Sequence, residues 1–251
     1  MRTRVFVLVF LTAIVAWSQQ QPAAGHDEMP GMDMQGMSMS HGETGMHAMH
    51  SMEGHMDMGP HMKMTALRPA QPGDAERAQR VVDAARKACA KYLDYHAALA
   101  DGFKIFHPEV PQKIYHFTDY QYAIEEAFRF NPERPTSLLY EKHGDGYKLV
   151  GVMYTAPRRF REDQLNERIP LSIAQWHVHV NFCVAPAGRK LEALSPHPRF
   201  GLRGSISTQE ACDAAGGTFH PVVFGWMVHV YPFETDQKSI WSVDHKDGDR
   251  H

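Results

Sequence analysis

Gln175-Trp176-His177-Val178-His179-Val180-Asn181-Phe182-Cys183 alternates two kinds of side chain along its length, the period of a strand with one face buried. Trp176, Val178, Val180 and Phe182 fall on one face, and His177, His179 and Asn181 on the other. Two imidazoles two residues apart on one face can converge on a single metal ion. Phe224-Gly225-Trp226-Met227-Val228-His229-Val230-Tyr231-Pro232-Phe233 repeats the pattern, with Trp226, Val228 and Val230 opposite Met227, His229 and Tyr231. His116, in Lys113-Ile114-Tyr115-His116-Phe117, stands on a third expected strand. If these strands are neighbours with their histidine faces inward, His116, His177, His179 and His229 form a three- or four-histidine site. Nitrogen-rich sites of that kind suit copper, zinc or non-haem iron. Glu141, ending Leu138-Leu139-Tyr140-Glu141, would add a carboxylate.

A competing reading applies to each histidine taken singly. In aromatic-rich sheets imidazoles are commonly buried, neutral and hydrogen-bonded to backbone or tyrosine. The case for a metal therefore rests on the His177/His179 pair with a third histidine beside it. His96 lies on the apolar stripe of a helix and reads as a packed structural residue. His107, His197 and His220 each precede proline and belong to loops or strand entries.

Outward from these strands, further short runs rich in aromatic and β-branched residues cover Lys113–Thr118, Ser137–Lys142, Tyr147–Tyr154, Ser172–Val184 and Val222–Pro232. His143-Gly144-Asp145-Gly146 reads as a hairpin turn between two of them. Apolar positions at three- and four-residue steps from Ala78 to Leu99 predict one long helix, capped by Asp74 and ending before Asp101-Gly102. Shorter helices are expected over Tyr120–Phe128, Asp163–Glu167 and Thr208–Ala215. The expected class is α+β: an antiparallel sheet or partly closed barrel with the long helix packed on it, in one domain spanning 74–251.

Ahead of that domain the composition is of another kind. Between Met29 and Met64 stand twelve of the chain's fifteen methionines and five of its seventeen histidines. No helical or strand period organises them, so residues 19–73 read as a disordered arm rather than a core face. The arm offers a thioether or imidazole every few residues. Soft sulfur selects Cu(I), and imidazole serves both copper oxidation states. The candidate ligands are Met32/Met34, Met37/Met39, Met56/Met58 and Met62/Met64, with His47, His50 and His55. A biased linker without function is the plainer alternative.

Residues 1–18 have the pattern of an export signal. Arg2 and Arg4 precede the apolar Val5–Trp17, too short to span a bilayer, and Ala16-Trp17-Ser18 places a mature start near Gln19. The expected location is periplasmic or secreted, with no membrane span in the mature chain. An oxidising compartment draws thiols into disulfides and leaves thioethers as soft ligands. Of three cysteines, Cys89 falls on the helix stripe as a small hydrophobe. Cys183 and Cys212 flank a Pro/Gly-rich excursion, and a bridge between them would close a loop of about 30 residues, contributing on the order of 3–4 kcal/mol.

The net charge of −3 and the absence of a basic stripe give nucleic-acid binding no support. No nucleophile elbow, phosphate loop or dinucleotide fingerprint occurs. Glu125-Glu126 reads as a solvated pair on a short helix. Any enzymatic activity would have to come from a metal.

Three segments together resemble a group of exported bacterial proteins of uncharacterised activity. They are Pro135–Glu141 with Gly146–Tyr154, then Trp176–Cys183, then Phe224–Pro232. The resemblance covers roughly residues 90–233, excludes the arm, and carries no activity. It implies that Cys183 and Cys212 belong to one fold element, because the Cys212–Gly217 helix is part of the shared pattern.

The leading expectation is an exported copper-binding protein for tolerance, buffering or delivery, whose partners are metal ions and another extracytoplasmic copper protein. Zinc or iron at the histidine site is an alternative. Two further readings are a mononuclear metal-dependent oxidoreductase or hydrolase using His177, His179 and His229, and a metal-free binding module.

Overall fold

The alternating runs pair into one antiparallel sheet. The computed structural model describes residues 59–244. In chain order these form β1 (Met62–Met64), α1 (Asp74–Ala90), α2 (Tyr95–Ala100), β2 (Lys104–Ile105), β3 (Ile114–Thr118), α3 (Tyr120–Glu126), β4 (Ser137–His143) and β5 (Gly146–Ala156). Then come α4 (Glu162–Arg168), β6 (His177–Val184), a 3₁₀ helix (Ala187–Ala193), α5 (Gln209–Ala214), β7 (Thr218–Val230) and α6 (Gln237–Ile240). The strand order is β1-β6-β7-β5-β4-β3-β2, so β1 and β2 are edges and the sheet is not closed. The β4–β5 turn uses Gly144 at φ 56°, a conformation natural to glycine in a two-residue hairpin.

One face of the sheet holds the main core. Phe117, Leu138, Tyr140, Leu149, Val152, Tyr154, Val228 and Val230 pack with Ala78, Val81, Val82, Ala85 and Cys89 of α1. The opposite face carries a smaller apolar cluster of Leu139, Val150, Met153, Met227 and Tyr231. A β-carbon on Gly151 would lie 2.6 Å from the Val230 carbonyl oxygen and 2.8 Å from the Tyr231 ring, so only glycine permits this approach of β5 to β7.

The sheet is curled toward its second face. Phe106 extends β2 beside His116 through an amide–carbonyl bond of 2.9 Å. Its ring nevertheless meets that of Phe224 on β7 at 5.7 Å, although β4 and β5 lie between β3 and β7. A bulge sharpens the curl. While β6 advances two residues from His177 to His179, β7 moves four, from Met227 to Val223, with Phe224 at φ 64°. Bulges bend the strand and re-aim side chains in this way.

The structure departs from the expected element boundaries in three places. The helix expected to run to Ala100 is two helices, because Asp94 re-caps the chain by accepting the His96 amide. That break rotates the stripe, leaving Leu93 and Leu99 exposed and His96 at the surface beside Asp94 at 2.8 Å. Gly73, at φ 85°, occupies the cap position of α1; Asp74 follows it, accepting from Gln71 N and Ser172 Oγ. The folded region also begins earlier than residue 74, since Met62–Met64 is a strand of the sheet and Thr65 N donates to Trp176 O at 2.8 Å.

Cys183 and Cys212 form a disulfide with Cα atoms 5.7 Å apart. Cys89 is free and buried, and burial pushes its thiol up to about 12. No described helix is long and apolar enough to cross a membrane.

Candidate functional site

Strand alternation puts the histidines on the second face, and the curl brings them together. His177 and His229 have ring centres 5.0 Å apart; His177 and His179, and His116 and His229, are each 5.7 Å apart. An imidazole bound through one nitrogen sets its ring centre about 3.2 Å from an ion, so two ligands at a tetrahedral angle have centres about 5.2 Å apart. The three neighbouring pairs, in the order His179, His177, His229, His116, stand near that spacing. They pack at interplanar angles of 50° to 81°. Among the described residues, no three His, Cys, Asp or Glu side chains are already arranged as a metal-binding group. Holding one ion would require these nitrogens to move toward a common centre.

Hydrogen bonding prepares several rings for such a role. His229 Nδ1 donates to Val243 O at 2.7 Å, leaving Nε2 with a lone pair. His116 is bonded to the backbone of Ile114, and His179 to that of His61. Backbone carbonyls often fix metal-ligating imidazoles in this manner. His177 differs. It is 2 % exposed, and its Nδ1 has no hydrogen-bond partner among the described residues. A buried polar atom left unpaired costs on the order of 1–3 kcal/mol, which an ion would recover.

The cluster is electrically neutral at physiological pH. Burial, then repulsion from His229 and His179, holds His116 down to about 3. Burial likewise holds His229 down to about 4, against the opposing pull of the Val243 carbonyl and Asp244. His177 lies well below the ordinary imidazole value for burial first and its three neighbours second, and burial lowers His179 too. Neutral imidazoles keep the lone pair a metal needs.

β1 runs along this site. Met62 is the partner of His179 and Met64 of His177, with Lys63 opposite Val178. Val180 N donates to His61 O at 2.9 Å and Thr65 N to Trp176 O, so the odd-numbered residues of β1 carry the ladder. The two Met–His pairs are therefore the non-hydrogen-bonded kind, in which side chains approach most closely. Asn181, at φ 56°, donates from Nδ2 to Pro60 O at 2.7 Å, and His61 is bonded through Nε2 to Gly204 O at 2.7 Å.

The expected histidines thus meet, and the two last methionines of the Met/His run stand in register with them. Met32, Met34, Met37, Met39, His47, His50, His55, Met56 and Met58 lie outside the described residues. Glu141 is in register with Ile114 and Lys148 on β4. His220 is exposed against Phe182. Two features were missed from sequence. His61 is 5 % exposed with Nδ1 unpartnered among the described residues, and only its place just before an edge strand distinguishes it from its neighbours in the arm. Glu126, read as solvated, is 1 % exposed and accepts from Thr155 N at 2.6 Å and Thr136 Oγ1 at 3.0 Å.

No family model, no curated protein and no solved structure matches this chain.

Proposed function

We propose that this chain is an exported copper-binding protein that buffers copper or delivers it to another extracytoplasmic protein. The methionines and histidines from Met29 to Met58 capture the ion, and His116, His177, His179 and His229 hold it in the folded domain. The observation that supports this most is the meeting of four neutral imidazoles from three strands, one of them buried with an unpartnered nitrogen. Most buried ring nitrogens are paired, so an unpartnered one within a cluster of imidazoles calls for an explanation, and an ion supplies it. The composition of the arm favours copper over zinc, because thioethers are poor ligands for the harder ion.

The test uses the full chain and its His177→Ala/His179→Ala variant, each loaded with Cu(I), Cu(II) or Zn(II), desalted and analysed for metal per chain. An exposed-site control, His220→Ala, reports any general effect of losing an imidazole. The expected result is one tightly held copper lost in the double variant and kept in the control. Equal copper retention in all three proteins, with native circular dichroism, refutes the domain site.

A further inference from the structure

The described residues contain four methionines, and every one is the cross-strand partner of a histidine in the cluster. Met62 stands opposite His179 and Met64 opposite His177; Met227 stands opposite His177 from the other side, and Met153 opposite His229. Directly opposed residues share a face of the sheet. Met153 and Met227 are each 7 % exposed and lie in the apolar cluster of that face. Methionine usually enters a core as a flexible filler, yet the larger core on the opposite face contains none. Outside Met1 and the Met29–Met64 run, Met153 and Met227 are the only methionines in the chain. Both buried methionines thus fall on the histidine face of the sheet, and none falls on the other.

We infer that the site is part thioether: Met153 and Met227 supply sulfur to the ion that His177 and His229 hold through nitrogen, and that four-coordinate ion is Cu(I). The inference rests on the copper reading above and specifies its ligand set and oxidation state. Neutral nitrogen and sulfur donors against an apolar wall favour an ion of single charge, since burying a doubly charged ion costs far more. Thioether sulfur favours the same choice. Met62 and Met64 are also the last sulfurs of the run, so an ion passes from the arm to the domain by exchanging one thioether for the next. No electron moves in that transfer, and each ligand gained replaces a ligand lost.

Cu(I) is diamagnetic, so methionine methyl resonances can report it. The full chain is labelled with ¹³C at the methionine methyls, and Met153 and Met227 are assigned from Met153→Leu and Met227→Leu, swaps that keep the volume of the site. Cu(I) is added without oxygen, and Zn(II) in a parallel sample. The expected result is movement of both methyl signals with Cu(I) and not with Zn(II). In Met153→Leu/Met227→Leu the tightest Cu(I) site should weaken about tenfold, with Zn(II) affinity held within about twofold. If both signals stay still while Cu(I) is lost in His177→Ala/His179→Ala, the thioether assignment is overturned and the histidine site stands. If Zn(II) moves them equally, they report closure of the site rather than sulfur ligation, and the assignment is overturned as well. If the signals stay still and the histidine variant holds as much Cu(I) as the wild type, both readings fall together.

Discussion

Replacing Lys63 by proline should unseat β1 and separate the arm from the histidines. Lys63 is exposed on an edge strand, so its side chain contributes little and the effect isolates the backbone. Because His61, Lys63 and Thr65 carry the ladder, the Lys63 amide points at Val178, and proline removes that donor. The loss is about 1 kcal/mol for the bond and about 1–3 kcal/mol for leaving the buried Val178 carbonyl unpaired. A total near 2–4 kcal/mol lowers the melting temperature of a domain this size by roughly 4–16 °C. Lys63→Thr keeps the amide and serves as the control. Three readouts are needed: thermal unfolding, hydrogen exchange at the Val180 amide that donates to His61 O, and Cu(I) competition titration. The expected outcome is faster exchange at Val180 and Cu(I) affinity lower by about tenfold, with Lys63→Thr near wild type. A proline variant whose Val180 amide is exposed but whose copper affinity is unchanged would show that β1 is no part of the site. A Val180 amide as protected as in the wild type would refute the ladder assignment itself.

Two pH dependences follow from the buried titratable groups. Burial raises the Glu126 carboxyl to about 8 against the hydrogen bonds from Thr155 and Thr136; the fold therefore favours the neutral form, and stability present below about 4.5 is lost as pH rises toward about 8. Glu126→Gln should remove that loss, gaining on the order of 3 kcal/mol relative to wild type between pH 5 and pH 8 in urea unfolding; parallel curves for the two proteins would show that the carboxyl is ionised in the fold. The histidines act in the opposite direction. With folded values near 3 for His116 and 4 for His229, the unfolded chain takes up protons first, and metal-free stability falls as pH drops from about 6.5 toward 4. The limiting slope is about 1.4 kcal/mol per pH unit for each histidine, and a stability that is flat from pH 6.5 to 4.5 would contradict the buried, neutral cluster.

The faces were legible because strand alternation is local. His177 with His179, and His229 beside Met227, follow from a period of two whatever the rest of the chain does. The hairpin at Gly144-Asp145 and the short helix beginning at Thr208, which the Thr208 side chain caps, were equally local. Met62–Met64 carried no such mark. Three residues without a β-branched side chain have no strand signal of their own, and β1 exists because the edge of β6 accepts it. His96 was misplaced because Asp94 restarted the helix and shifted the phase of the stripe. Glu126 appeared solvated because nothing nearby in sequence announces Thr136, Thr155 or Arg168, whose guanidinium donates to the Glu126 carbonyl at 2.7 Å.

By itself, then, the sequence determined which side chains share a face, and that the chain is rich in soft metal donors. Whether those faces meet was decided by tertiary structure. His116 reaches His229 across two intervening strands because the sheet curls, and it curls through the Gly151 approach and the bulge at Phe224. Curvature and register are properties of paired strands, and no single strand encodes them. The same holds for the four methionines: their number is a matter of composition, and their pairing with the histidines exists only once the strands are aligned.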